Sequence, residues 1–333
     1  PLAHIALFLI ENGLKIAPKL GLSLINGTHV HTALAALLTH ESVMLAKAAD
    51  IACAMNLEAT LGSRKPFDAS VHKLRPHPHQ QIAARNLWAL TEGSAIMQSH
   101  ANCGEVQDAY SFRCAPQVHG ASRHAIASLR EIAEIELGSV TDNPLVVDNE
   151  LISAGHFHGQ PVGLALDYFK IGIAEFASIS ERRIERVLNP TTNRGLPAFL
   201  ASHPGLESGM MICQYTAAAL VSDNKVLAHP SCVDSIPTGA NQEDHVSMAM
   251  NAALHAQRVL ANVRNVIAIE LLVAAQALDC RAKIQPDKPG DRVQRAWSAI
   301  RKQSKTLDSD RSLSNEIQSL DLDAIVSAAG DLE

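Results

Sequence analysis

The sequence predicts an all-α fold, a bundle of very long helices joined by irregular loops with minor β content, and three observations carry that prediction. Apolar residues recur three and four positions apart over very long windows. Hydrophobic residues make up 47% of the chain but aromatics only 4%, so the apolar content is aliphatic and alanine-rich, which favours helices over sheets. Beyond the short piece Leu145 to Ile152, read as a small hairpin, no window alternates convincingly as a strand.

Taken in order, His29 to Thr60, Gln80 to His100 and Gln117 to Leu137 are expected helices. From Val162 the apolar series runs Leu166, Phe169, Ile173, Phe176, Ser180, Ile184, Val187, one stripe of a helix. Leu206 to Leu227 is the next, and the last forty or so residues are helical as well. The series Leu260, Val263, Ile267, Leu271, Ala274, Leu278 belongs to a helix traced back to near Asp244. That helix would run on the order of 50 Å at about 1.5 Å per residue. Helices of such length line up with small crossing angles. Neither GxGxxG nor GxxxxGK[ST] occurs, and there is no internal repeat, so residues 1–333 are expected to form a single helical domain.

Composition excludes several classes of partner. Lys and Arg number 28 against 34 Asp and Glu, a net charge of −6, and no basic cluster could neutralise a row of phosphates, so nucleic acid is not expected. The apolar stretch Val263 to Leu278 is interrupted by Arg264, Asn265 and Glu270, short of the roughly 18 uninterrupted apolar residues of a membrane span. The six cysteines, scattered without a CxxC pair, read as reduced thiols of a cytoplasmic protein. The chain opens Pro1-Leu2-Ala3-His4, with neither an initiator Met nor a signal peptide, which suggests part of a longer product.

The polar, glycine-containing loops are where chemistry is expected. The pairs His77/His79 and His156/His158 invite a metal, but no ligand spacing completes them and there is no HExxH, so no metal is predicted. No GxSxG elbow supports a serine nucleophile. Tyr110 and Arg113 are more suggestive: an Arg grips a carboxylate through a bidentate pair, and a Tyr beside it can donate or accept a proton. Gln242, Glu243 and Asp244 are placed at the start of the longest helix, where Asp244 would cap and Glu243 would either cap or project into a cleft. Asn26 before Gly27 and Asn143 before Pro144 have turn chemistry as a sufficient explanation.

Read together, these loops resemble the aromatic amino acid ammonia-lyases and aminomutases, and within them the histidine-specific branch. The resemblance covers nearly the whole chain. It rests on LINGT at 24–28, GSRKPFD at 62–68, VQDAYSFRC at 106–114, SVTDNPLV at 139–146, FHGQPV at 157–162, ISERRIERVLNP at 179–190, GLPAFL at 195–200, TAAALVSDNK at 216–225 and ANQEDHVSM at 240–248. It implies elimination of ammonia from L-histidine to give urocanate, without a metal. The electrophile in that family is methylidene-imidazolone (MIO), formed from an internal Ala-Ser-Gly. A homotetramer with shared active sites, acting on a small amino acid, is also implied. Carried over, Arg113 holds the substrate carboxylate with Gln107 nearby. Tyr110 stands beside the MIO, Asn26 and Asn143 stabilise the MIO and the bound carboxylate, Phe157 packs against the ring system, and Glu243, next to Gln242, faces the side chain. A carboxylate at Glu243 suits an imidazole better than a phenyl ring.

The sequence also departs from that pattern. No Ala-Ser-Gly occurs in the 333 residues, while Pro1-Leu2-Ala3-His4 matches the family sequence that follows the tripeptide. The chain is therefore expected to be the C-terminal portion of a longer lyase, active only with the MIO-bearing N-terminal segment. Between Ile10 and Leu14 it is shorter than its relatives by about a loop, and Gln160 stands where many histidine-specific relatives have Glu. A tyrosine or phenylalanine ammonia-lyase or aminomutase is the rival enzyme, and a non-catalytic helical assembly module the rival of another class.

Overall fold

The computed structural model describes residues 2–13, 15, 17 and 19–333, with nothing described of the side chains of residues 2–6. The expectations about the junction with any upstream segment at Pro1 and about the short loop at Leu14 lie outside the described residues. In chain order the helices are α1 Leu2–Glu11, α2 Leu20–Ser23, α3 His29–Ala59, α4 Ala69–Lys73, α5 Pro78–Leu90, α6 Ala95–Ser99, α7 Tyr110–Arg113 and α8 Ala115–Leu137. They continue with α9 Gln160–Leu188, α10 Met211–Leu227, α11 Ala249–Ile284, α12 Asp291–Gln303, α13 Ser314–Ser319 and α14 Leu322–Ala329. The hairpin is present as β1 Leu145–Val147 and β2 Glu150–Ile152, paired antiparallel with Val146 opposite Leu151.

Four helices of 31, 23, 29 and 36 residues, α3, α8, α9 and α11, make the frame. The apolar stripe of α9 is buried from Val162 to Val187. Alanine lets the helices approach closely: Ala46, Ala48, Ala49, Ala52 and Ala54 of α3 and Ala252, Ala253, Ala256 and Ala268 of α11 are all essentially inaccessible. α3, α9 and α11 run in one direction and α8 against them. At one end the backbone of Gly159 meets His31 and Ala249. At the other, Arg281 donates to the Ala59 carbonyl at 2.9 Å.

Charged residues inside this frame are paired. Arg183 donates to both Glu270 oxygens at 2.5 and 2.8 Å, and Asn56 donates to the same carboxylate at 2.9 Å. Asp50 accepts from Arg123 at 2.5 Å and Asn86 at 2.8 Å and lies 2.7 Å from His119. Burial alone would raise the Asp50 carboxyl; those partners hold it below the ordinary carboxylate value instead. Buried pairs of this kind are costly to break because one partner is left charged and unsolvated.

Three expected elements are corrected. The helix expected over 80–100 is broken at Thr91–Ser94: the Ser94 side chain caps a new helix by accepting Met97 N–H at 3.1 Å, and Ala95 and Ile96 N–H both turn to the Lys288 carbonyl. The helix expected from 206 starts at Met211, because Ser208 and Gly209 N–H are held by Asp310 at 2.8 Å each. The longest helix starts at Ala249 after Met248 in the left-handed region (φ 52°), not near Asp244. Its length and composition would allow a membrane crossing, but 78% of its most apolar window is buried against the rest of the chain.

Candidate active site

The long helices sort the chemistry-bearing loops into two poles. At the first pole lie the loops before α3, between α8 and α9, and before α11. Gly27 has φ +152° and a side chain there would come within 2.5 Å of the Thr141 carbonyl, so only glycine lets the Asn26 loop dock on the Asn143 loop. Thr28 N–H reaches Thr141 Oγ1 at 3.5 Å. Asn143 Oδ1 accepts Ala154 N–H at 2.7 Å, which ties the hairpin back to the same place. His158 stacks on His245 at 5.5 Å between ring centroids and lies 3.1 Å from the His245 carbonyl, bringing the Phe157 loop to the Glu243 loop. Asn26, Asn143, Phe157, Gln242 and Glu243 are thus gathered at one end of the bundle.

Gln242, Glu243 and Asp244 do not cap the start of α11, which follows Met248. They sit in an exposed loop closed by reciprocal backbone bonds between Thr238 and Glu243 at 3.0 and 3.3 Å. The Thr238 hydroxyl also donates to the Glu243 carboxylate. The helix-start reading failed because the acidic pair mimics an N-cap sequence five residues before the true start.

At the second pole, Tyr110 and Arg113 lie on the single turn α7, expected as irregular loop; Arg113 lines a cavity of about 780 Å³, while the Tyr110 side chain is exposed beside it. Arg113 Nε donates to the Asp108 carbonyl at 3.0 Å and Nη2 to Gln107 Oε1 at 2.9 Å. The guanidinium carbon lies 4.6 Å from the centre of the Tyr110 ring, within cation–π range. The same cavity is lined by Ser63, Arg64 and His100. His100 braces its wall, its ring nitrogens 2.7 and 2.9 Å from the carbonyl oxygens of Ile96 and Gly62. Arg64 spreads over the Trp88 ring at 3.7 Å and donates to its carbonyl at 2.6 Å.

The two poles do not meet within one chain. Ser63 and Asp108 are bonded just past the end of α3, and Arg183, near the end of α9, donates to the Ser111 carbonyl at 3.3 Å. Asn26 and Phe157 precede the starts of the same two helices. The 31 residues of α3 therefore separate them by about 45 Å at the usual rise. A second cavity, of about 760 Å³ and lined by His40, Met44, Arg130 and Arg264, lies on the flank of the bundle and includes none of the expected site residues. Among the described residues no group of three or more His, Cys, Asp or Glu could hold a metal ion.

The sequence profile of the family described as "Aromatic amino acid lyase" matches residues 3–302. This chain belongs to the aromatic amino acid lyase family. A histidine ammonia-lyase of Gloeobacter violaceus is 53% identical over 96% of this chain and 66% of its own length. One from Sorangium cellulosum is 49% identical over 95% and 67%. Among solved structures, the histidine ammonia-lyase of Trypanosoma cruzi superposes with a TM-score of 0.84 at 42% identity, covering 97% of this chain and 61% of that one. The tyrosine aminomutase of Streptomyces globisporus gives 0.87 at 36% identity, covering 97% and 65%. The chain spans about two thirds of the length of the relatives it matches.

In this aromatic amino acid lyase chain two further polar groups belong to the first pole: His31, which went unremarked in the sequence, and Gln160. His31, one turn into α3, is buried with Nε2 unpaired among the described residues, and Gln160 Oε1 is buried and unpaired at the start of α9. Burial pulls the His31 imidazole below its ordinary value. Both stand at the first pole beside Gly159. Nothing in the spacing marks His31, because its position reads as one more helical residue; only its burial beside the loops distinguishes it.

Proposed function

We propose that this lyase removes ammonia from L-histidine to give urocanate, as the C-terminal helical part, residues 1–333, of a longer chain that supplies an MIO electrophile from an upstream Ala-Ser-Gly. The observation that carries the reading is Arg113: a guanidinium at a cavity mouth, with Nε and one Nη2 hydrogen committed to Asp108 and Gln107 and the outer N–H groups left for a carboxylate.

The first pole suits an MIO by its donors. Asn26 makes no side-chain hydrogen bond among the described residues, and Asn143 commits only its oxygen, so both carboxamides keep N–H groups for an electron-rich oxygen. Asn26 would hold an MIO, with Phe157 and Tyr110 beside it, and that group would supply the electrophilic chemistry that makes the substrate amine a leaving group. The chain's own residues do the rest. Arg113 fixes the α-carboxylate, with Asn143 donating to it, and Gln107 keeps the guanidinium in plane. The Tyr110 hydroxyl, beside the electrophile, is there to donate or accept a proton. Glu243, next to Gln242, accepts from the imidazole N–H, a contact a phenyl ring cannot make.

Because Arg113 and Tyr110 lie about 45 Å from Asn26 and Glu243 along α3, a complete site takes its second pole from another copy of the chain. A homotetramer with shared sites, in the cytoplasm, satisfies that need, and six unpaired cysteines accord with a reducing compartment. A tyrosine aminomutase-like reaction is the second reading, favoured by the solved aminomutase at 36% identity and by Gln160. The test is absorbance after mixing the full-length protein with histidine, tyrosine and phenylalanine separately. Urocanate from histidine alone is expected; coumarate or cinnamate without urocanate, or no product from any of the three, overturns the proposal.

A further inference from the structure

We infer that Asp108 is a positioning residue for Arg113: its carboxylate fastens the segment before α7 to the turn that ends α3, so that its own carbonyl holds the guanidinium ready for a carboxylate. This rests on the reading of Arg113 as the substrate-carboxylate anchor.

The connection has two links with opposite roles. The first is from side chain to frame: Asp108 Oδ2 accepts Ser63 N–H at 2.7 Å. Ser63 follows α3 after the three-residue turn 60–62, and that turn is bound to the helix by Gly62 N–H donating to the Leu57 carbonyl at 2.8 Å. Leu57 is fully buried, so Asp108 is anchored to the rigid core. The second link is from backbone to functional group: the Asp108 carbonyl accepts Arg113 Nε at 3.0 Å. Gln107, its neighbour, accepts Nη2 at 2.9 Å. Both acceptors therefore sit on a stretch that the Asp108 carboxylate pins.

An Arg binds a carboxylate side-on or end-on according to which N–H groups are free. With Nε occupied the side-on approach is blocked, and Nη1 with the outer Nη2 hydrogen forms the open end of the fork. No hydrogen bond from Nη1 is made among the described residues. Releasing the pin keeps the Arg113 side chain and its charge but frees the fork to rotate. Affinity for the carboxylate then falls through lost preorganisation, not through lost charge. That is a loss of uniform binding, which raises KM and spares kcat.

Three forms of the full-length protein test this: unchanged, Asp108→Ala, and Asp108→Asn, which keeps a carbonyl oxygen able to accept Ser63 N–H. Two readouts are taken, steady-state kinetics with histidine and the rate at which phenylglyoxal modifies Arg113, followed by peptide mass mapping with Arg130 as the reference. Asp108→Ala is expected to raise KM about tenfold, the scale of one lost hydrogen bond to an organised charged group, with kcat within about twofold. It should also speed modification of Arg113 several-fold, and Asp108→Asn should restore both. Unchanged Arg113 reactivity in Asp108→Ala overturns the inference. So does a joint fall of kcat and thermal midpoint, which marks a merely structural role, or a failure of Asn to restore. If Asp108→Ala does not yield folded protein, Asp108→Leu carries the same comparison. Should the unchanged protein convert no amino acid, the functional reading fails, while the Arg113 modification rates still decide the role of Asp108.

Discussion

The two poles of the bundle hold their functional side chains in different ways. Around Arg113 each element is braced from outside itself: Ser63 by Asp108, the Arg113 guanidinium by Gln107 and the Asp108 carbonyl, and the Ser111 carbonyl by Arg183 from the core. Around Asn26 and Glu243 the loops are tied mainly to one another, by Thr28 N–H on Thr141 Oγ1, by His158 on the His245 carbonyl and by the close approach of Gly27 to Thr141, with Glu243 exposed and Asn26 uncommitted among the described residues. The braced pole has the character of a finished binding element. The open pole leaves the Asn26 carboxamide and the Asn143 side-chain N–H groups uncommitted among the described residues, and the proposed sharing of sites between copies would engage them.

The largest effect on that contrast comes from the core behind the braced pole. Arg183→Ala leaves the buried Glu270 charge with only the Asn56 hydrogen bond and no cation, and removes the contact to Ser111. The expected cost is about 3–5 kcal/mol of stability, read as a fall in the denaturant midpoint. Hydrogen exchange should quicken first in residues 105–114, and equal loosening at residues 238–245 would break the contrast drawn here.

A smaller effect tests the same pole through pH. Burial pushes the Glu58 carboxyl from 4.5 up to about 7, against hydrogen bonds from Gly290 N–H and Ser94 and the charge of Arg64. Between those values the folded protein binds a proton that the unfolded chain has released. Stability is therefore highest at low pH within this window and is lost as pH rises through about 7. Its upper bound is about 3 kcal/mol. Glu58→Gln should flatten this slope in unfolding measured at pH 5, 6, 7 and 8. A slope that persists in the variant assigns the titration elsewhere.

How much of this was legible in the sequence differs by kind of information. The helices α3, α8 and α9 were readable because a stripe three and four apart must be buried on one face. The break at Thr91–Ser94 was hidden because it depends on the distant Lys288 carbonyl, and the start of α11 because Glu243 and Asp244 resemble a capping sequence. The identities of the site residues came from a resemblance in the loop motifs. Their separation into two poles could not be read at all, since it follows from helix direction, which no local pattern encodes. Asp108 stood within a recognised motif, yet its link to Ser63, 45 positions away, exists only in three dimensions.

The most direct test of the central claim, that each site joins one pole from each of two copies, is complementation. Full-length Arg113→Ala and Glu243→Ala chains carrying different tags are co-expressed, and mixed assemblies are purified through both tags. Each variant alone should have lost nearly all activity on histidine, whereas mixed assemblies should recover it at about a quarter of their sites, as random pairing of intact poles requires. Mixed assemblies no more active than either parent would contradict the account.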